Sequence, residues 1–357
     1  MNRGQRICSP PHSPSATLAT LFFSENLIFN ACGIEVVFAG VDAGTKSYKI
    51  VWFESPDKLR FEELPTENVK KSPELFVKKL EDLNADVYAG LSGYGLPIKH
   101  FSEITEFEIK LMTLTFEKKE SVGLRKLVNL ISKSELNFYT IPAVIHLNTV
   151  PAYRKFFRID MGTYDKLCTA LSIVYDYGMK NMVVVDAGYG YTAFMAIENG
   201  CIVDGFGGTS FLPTYRSSGC IDAEVAYLLG KFEKDLIKTG LRNFFEEDVA
   251  FKAYIENVLK GVNAIKVSIK DIDNIIVSGR FAKKIGDATN YKIYEKNKFA
   301  SAFGAAIVAC AISKKIRKIR ELTERAGVFS AQGTVLDYLP DKVREIVIKK
   351  LLKNRKF

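Results

Sequence analysis

Several absences narrow the reading before any motif does. No apolar run approaches the roughly 20 residues that a membrane-spanning helix needs, so no membrane partner is expected. Only three of the 357 residues are histidine. His100 and His146 stand alone, without HxxxH spacing, and read as structural rather than catalytic. The six cysteines (Cys8, Cys32, Cys168, Cys201, Cys220, Cys310) are scattered and form no CxxC pair. That pattern gives no sign of a zinc site or an iron–sulfur cluster and argues against a disulfide framework. Reduced thiols in a cytoplasmic protein fit best. The net charge of +9 is moderate. Its densest stretches, Lys314–Arg320 and Lys349–Lys356, read as solvated faces of terminal helices, so no nucleic-acid partner is expected. The positive surplus does suit an anionic ligand.

What is present is organised around Asn181 to Asp204, NMVVVDAGYGYTAFMAIENGCIVD. Met182-Val183-Val184-Val185 is a β-branched run of the kind a buried strand carries. It ends at Asp186-Ala187-Gly188, with Gly190 close behind. A second strand from Tyr191 to Ile197 then turns at Asn199-Gly200 into a third. A carboxylate therefore ends a strand beside glycines, which let backbone N–H groups approach a ligand. The same pattern stands upstream, where Val36 to Val41 runs into Asp42-Ala43-Gly44 and a strand continues through Trp52-Phe53. A single Asp-Ala-Gly is more often a turn with an Asx hydrogen bond than a site. Two copies in matched contexts reverse that reading and predict a duplicated α/β fold with one ligand between the halves.

The composition, 47% hydrophobic and 25% charged, is that of a globular protein, and the length suits two domains. We place the first at 34–160, the second at 161–310 and a helical C-terminal segment at 311–357. Residues 1–33 read as a disordered leader or a start assigned too far upstream, because Ser24, Glu25 and Asn26 break their apolar patch. Ser72-Pro73 predicts a helix to Leu83 with Leu75, Phe76, Leu80 and Leu83 on one face. Thr163 caps a helix to about Tyr177. Ser218 starts another that Gly230 ends, and a longer helical region follows to about Val267. Phe299 to about Arg320 reads as one long helix whose small residues, Ala302, Gly304, Ala305 and Ala306, allow a close crossing. The loop Leu91–Pro97 is either an ordinary connection or a wall of a substrate site.

Together these stretches resemble the actin-like ATPase superfamily of sugar kinases, acetate and butyrate kinases and heat-shock chaperone ATPases. Asp42 to Lys49 looks like its first phosphate motif and Asp186 to Gly190 like its second. Ile275 to Arg280 looks like its adenosine motif, and Gly304-Ala305-Ala306 like its second connecting helix. Within that superfamily the archaeal family of predicted butyrate kinases is the most similar, on Gly44, Ser47, Lys49 and the Phe211–Gly219 segment with Pro213, Arg216 and Gly219. Two positions depart from the butyrate-kinase pattern. Asp42 replaces an Asn, and Ser278-Gly279-Arg280 stands where Gly-Gly is usual. The missing histidine pair argues against the carbamoyltransferase branch, and the missing cysteine pair against the dehydratase-activator branch.

The resemblance implies actin-like (ribonuclease H-like) ATPase domains flanking a nucleotide cleft, with ATP and Mg²⁺ as cofactors. Asp42 and Asp186 would hold the Mg²⁺ through water, because that ion keeps much of its hydration shell. Gly44, Thr45, Lys46, Ser47, Lys49, Gly188, Tyr189, Gly190, Gly208, Gly279 and Arg280 would bind the nucleotide. Arg216 is expected to stabilise the transferred phosphoryl group or bind an acceptor carboxylate, since its planar fork fits both; Arg158 is a weaker candidate. No carboxylate of the first domain stands out as a general base. That suits a carboxylate acceptor, already ionised at pH 7 with a pKa of about 4 to 5. The expected activity is a butyrate kinase-like phosphotransferase using ATP and a small-molecule acid. The alternatives are a hydroxyl acceptor, or an ATPase switch that binds a protein partner. The reading allows a homodimer.

Overall fold

The structure, a computed structural model, describes residues 36–114 and 122–353; the expectation for a leader lies outside them. From Val37 onward the chain forms one compact unit. Strands β1 (Phe38–Ala43), β2 (Ser47–Phe53) and β3 (Arg60–Pro65) make an antiparallel meander. Helices α1 (Thr66–Lys71) and α2 (Pro73–Leu83) follow, and then β4 (Val87–Gly90), which pairs parallel to β1. After α3 (Glu106–Thr113) and α4 (Val122–Ile131), β5 (Phe138–Tyr139) extends the sheet beside β4. A single turn, α5 (Ala152–Lys155), precedes α6 (Tyr164–Tyr177).

The second half repeats this plan. Strands β6 (Met182–Ala187), β7 (Thr192–Glu198) and β8 (Cys201–Phe206) form the antiparallel meander. Helices α7 (Ala223–Leu229) and α8 (Glu247–Lys266) lead to β9 (Asn274–Ser278), which lies parallel to β6. Helix α9 (Ala282–Thr289) and β10 (Lys292–Ile293) complete it. The two five-stranded sheets have one order, β3-β2-β1-β4-β5 and β8-β7-β6-β9-β10. Their central strands are buried nearly throughout, as strands covered on both faces must be, which is why they read as continuous apolar runs.

Helices α10 (Ala300–Ser313), α11 (Arg317–Arg325) and α12 (Asp341–Lys353) end the described chain. Although it follows the second sheet, α10 packs against β1, β4 and α6. Glycine makes the approach possible. A Cβ on Gly40 would lie 2.1 Å from the Ala302 carbonyl, and one on Gly304 would lie 1.9 Å from the Cys168 carbonyl. The small residues of α10 thus serve the close crossing expected of them.

Local expectations differ from the structure in four places. The helix expected from Ser218 starts at Ala223, because the Asp222 side chain accepts the Glu224 N–H at 2.9 Å and is the better cap. The helical region before Val267 begins only at Glu247. Leu75 faces solvent, and Val77 takes its place beside Phe76 and Leu80 in the core. The helix from Phe299 stops at Ser313, where Lys314 adopts a left-handed conformation (φ 60°), and the chain bends by 111° into α11. Among the described residues no single helix is long and apolar enough to cross a membrane. Cys168, Cys201, Cys220 and Cys310 are free thiols.

Candidate functional site

The first turn hangs from the end of β1. Asp42 is 6% exposed, and register places Lys49 of β2 opposite it. The Lys49 ammonium lies 3.5 Å from Asp42 Oδ2. Gly44 is required by close approach, since a Cβ there would sit 2.6 Å from the Ser47 carbonyl oxygen. The turn is pinned by Thr66 Oγ1, which donates to the Gly44 carbonyl at 2.7 Å, and by the Ala43 N–H, which donates to the Tyr164 hydroxyl at 3.1 Å. Burial pushes the Asp42 carboxyl above the usual range, with Lys49 opposing and the charges of Asp165 and Asp186 adding to the rise.

The second turn hangs from β6 in the same way, but its carboxylate is held differently. Asp186 Oδ2 receives the Lys166 ammonium at 3.1 Å and the Thr169 hydroxyl at 3.2 Å, both from α6. Lys166 also reaches Asp165 Oδ2 at 3.0 Å. Burial works against every charge here. Even so, Lys166 and the Thr163 hydroxyl hold the Asp165 carboxyl below its ordinary range, and Asp165 and Asp186 together raise Lys166. Behind the turn lies the loop after β9. Gly279 has φ +95°, and a Cβ on it would lie 2.4 Å from the Ala187 carbonyl oxygen. Its N–H donates to the Asn297 side chain, and the Phe281 N–H donates to the Ala187 carbonyl at 3.0 Å.

The two turns meet. A Cβ on Gly190 would be 3.4 Å from Thr45 Oγ1. The Tyr189 ring is approached by Lys46 Nζ at 5.0 Å, Arg216 Cζ at 4.0 Å and Arg280 Cζ at 5.3 Å, so cations from both halves converge on one aromatic ring. Around them lies a cleft of about 660 Å³. Its wall includes Asp42, Gly44, Thr45, Lys46, Ser47, Lys49, Asp186, Gly188, Tyr189, Gly190, Gly208, Gly279 and Arg280. Arg216 is not part of that wall and reaches it through Tyr189; Arg158 lies elsewhere, over the Phe206 ring at 5.2 Å. Gly93 and Tyr94 of the Leu91–Pro97 loop line the cleft beside Met112 and Leu124. Lys234, from the segment after α7, stands over the Tyr94 ring at 5.2 Å and donates to the Thr113 and Leu114 carbonyls at 3.3 and 3.2 Å.

Asp160, Asp165, Lys166 and Thr169 also line the cleft, and no sequence motif singles them out. Asp160 binds two loops together. Its Oδ1 accepts the Gly162 N–H at 3.2 Å, and its Oδ2 accepts the Thr209 N–H at 3.0 Å and hydroxyl at 2.9 Å. A weak signal does mark Lys166: a cation in the first turn of α6 opposes the helix dipole and asks for a local reason.

The donor set fits a divalent ion carried in with phosphate. Lys49 and Lys166 each face one oxygen of Asp42 and Asp186, and the other oxygen of each has no hydrogen-bond partner among the described residues. A hydrated Mg²⁺ bridged by water to one or two carboxylates and to substrate phosphates needs no more. Among the described residues no group of three or more His, Cys, Asp or Glu side chains is placed to hold a metal by itself.

Two sheets of one order, each sending an Asp-Ala-Gly turn into a shared cleft, make the duplicated α/β fold that the resemblance to the actin-like ATPases implies. The chain belongs to the family described as a protein of unknown function (DUF1464), whose profile matches residues 40–341. No curated protein matches it. Solved structures similar to it include an acetate kinase from Entamoeba histolytica, with 14% identity, TM-score 0.48, and 71% of this chain and 86% of that chain covered. A propionate kinase from Francisella tularensis subsp. tularensis SCHU S4 has 12% identity, TM-score 0.49, and coverage of 71% and 85%. The Acidaminococcus fermentans (R)-2-hydroxyglutaryl-CoA dehydratase component A has 11% identity, TM-score 0.41, and coverage of 78% and 100%.

Proposed function

We propose that this protein is an ATP- and Mg²⁺-dependent phosphotransferase whose acceptor is a short carboxylic acid of the butyrate class. The nucleotide reading rests on the two facing glycine turns and on the cations gathered at Tyr189, which suit a phosphate chain. Bound through water to Asp42 and Asp186, the metal ion would neutralise charge on the phosphates.

The observation that carries the acceptor class is the state of the carboxylates in the cleft wall. Asp42 faces Lys49, and Glu63 accepts from Ser47 and pairs with Lys298. Asp160 is held by Gly162 and Thr209, while Asp165 and Asp186 share Lys166. Each carries a cation or a hydrogen-bond donor, and the oxygens of Asp42 and Asp186 left over are those that would face the metal ion. A hydroxyl acceptor wants a carboxylate free to take its proton, whereas a carboxylate acceptor wants none. Tyr94, Met112 and Leu124 offer an apolar wall for a short acyl chain, and Lys234, tied to the Thr113 and Leu114 carbonyls, and Lys238, paired with Asp235, make the same wall electropositive. One observation favours the second reading, a hydroxyl acceptor: the raised pKa of Asp42 is what a general base would use.

Incubation with ATP, Mg²⁺, hydroxylamine and a panel of short acids decides between them. Acid-dependent acyl hydroxamate is the expected result. ATP consumption that ignores every acid would sink the acyl reading and favour the hydroxyl acceptor or the ATPase switch.

A further inference from the structure

Lys166 is in an unusual place for a structural lysine. It lies in the first turn of α6, where the helix dipole disfavours a cation. Its side chain is only 13% exposed, which costs the ammonium most of its hydration. Its Nζ is 3.0 Å from Asp165 Oδ2 and 3.1 Å from Asp186 Oδ2, bridging two carboxylates that burial would otherwise set against each other. The same atom lies 3.4 Å from the position a Cβ would take on Gly188, so it sits against the second glycine turn. A buried carboxylate and a half-buried one with a compact cation between them, beside a glycine turn, form the arrangement in which a phosphoryl-transfer site can hold a second divalent ion. Here a side chain already supplies that charge.

We propose that Lys166 is a built-in cation of the transfer site. It neutralises Asp186 from the helix side and presents its ammonium at the Gly188 turn. A nucleotide therefore brings in one divalent ion, and no second one is taken up between Asp165 and Asp186. Asp42, whose own partner Lys49 is more loosely placed at 3.5 Å, keeps the side of the cleft open to that single ion. Lys166 is a positioning and charge-balancing residue. The idea rests on the nucleotide reading of the cleft, but metal binding measured without nucleotide tests the lysine separately.

The test is a Mn²⁺ titration of the full chain followed by electron paramagnetic resonance, with and without a non-hydrolysable ATP analogue. Lys166→Met keeps the stem and removes the charge; Lys166→Arg keeps a charge. The parent and Lys166→Arg are expected to take up one Mn²⁺ per bound analogue. Lys166→Met should acquire an additional Mn²⁺ site, visible even without the analogue, while acid-dependent turnover falls roughly a hundredfold. The double variant Lys166→Met/Asp165→Asn removes one charge of each sign, which guards against a fold that fails from unpaired burial. It should return to one Mn²⁺ yet remain slow. If Lys166→Met binds Mn²⁺ as the parent does, or if the double variant, where the single one does not fold, turns over as fast as the parent, Lys166 is only a structural ion-pair partner. A parent that binds no analogue overturns the nucleotide reading, and the analogue-free titration of the variants still decides the role of the lysine.

Discussion

Asp42 and Asp186 end equivalent strands in equivalent sheets, yet their counter-cations come from different distances. Lys49 arrives with the hairpin itself, opposite Asp42 in register and 3.5 Å away. Lys166 arrives from a helix that precedes the second sheet, lies 3.1 Å from Asp186 and is shared with Asp165. The first turn is a local device, self-contained within one hairpin. The second is a tertiary one, whose carboxylate is held by the element connecting the halves. The duplicated backbone has kept its shape while the electrostatics of its two ends diverged.

The sharpest way to break this comparison is to neutralise each carboxylate in turn. Asp42→Asn and Asp186→Asn are both expected to lower acid-dependent turnover by about a thousandfold, the range of several kcal/mol that a metal contact supplies. Their stabilities should part company. Asp186→Asn leaves Lys166 half-paired and buried, and should cost about 3 kcal/mol by urea unfolding. Asp42→Asn removes a charge that burial already disfavours, and should leave stability within about 1 kcal/mol of the parent or raise it. Equal losses in the two variants would mean that the turns are electrostatically equivalent after all.

Arg216→Lys keeps a charge but loses the planar fork that lies over the Tyr189 ring. We expect acid-dependent turnover to fall about a hundredfold while ATP binding, followed by calorimetry, changes little. Tyr189 itself can be graded. Tyr189→Phe keeps the ring that gathers Lys46, Arg216 and Arg280 and should bind nucleotide as the parent does. Tyr189→Leu should weaken binding about tenfold.

A further expectation lies away from the cleft and concerns stability alone. His146 is 1% exposed, accepts the Ala143 N–H on Nδ1, and its other ring nitrogen has no partner among the described residues. Burial lowers its pKa from 6.5 to about 4. As pH falls below the ordinary value the unfolded chain takes up a proton that the native one refuses, so stability is lost on the acid side. Between pH 7 and 5 the loss should be about 2 kcal/mol, and His146→Asn should remove that slope in urea midpoints measured at both pH values.

What was legible in the sequence follows the same division between local and tertiary. The strand, Asp-Ala-Gly and hairpin of each half are written in adjacent residues, and so were Gly44, Gly188, Gly190 and Lys49. Gly279 could be placed because a strand runs directly into it. Lys166 and Thr169 were not visible as site residues, because only the packing of α6 under β6 brings them to Asp186. Asp160 was hidden for a related reason, since its partner Thr209 lies on a loop of the other half. The break at Lys314 was missed because an apolar helix running into a basic, amphipathic one carries no Gly or Pro to separate them.

Helix α10 carries a consequence for how the chain is made. The strand that opens the described fold, β1, finds its covering helix only in the last third of the sequence, with Gly40 fitted against Ala302 and Ala306. The first half therefore cannot finish its core as it leaves the ribosome. The apolar faces of β1 and β4 stay uncovered until α10 emerges, and the usual order, in which the N-terminal unit folds first, does not hold. Such long-range closure slows folding and prolongs the time in which an unfinished sheet can meet another chain. Newly synthesised protein, rather than mature protein, is the form most exposed to aggregation and to capture by chaperones.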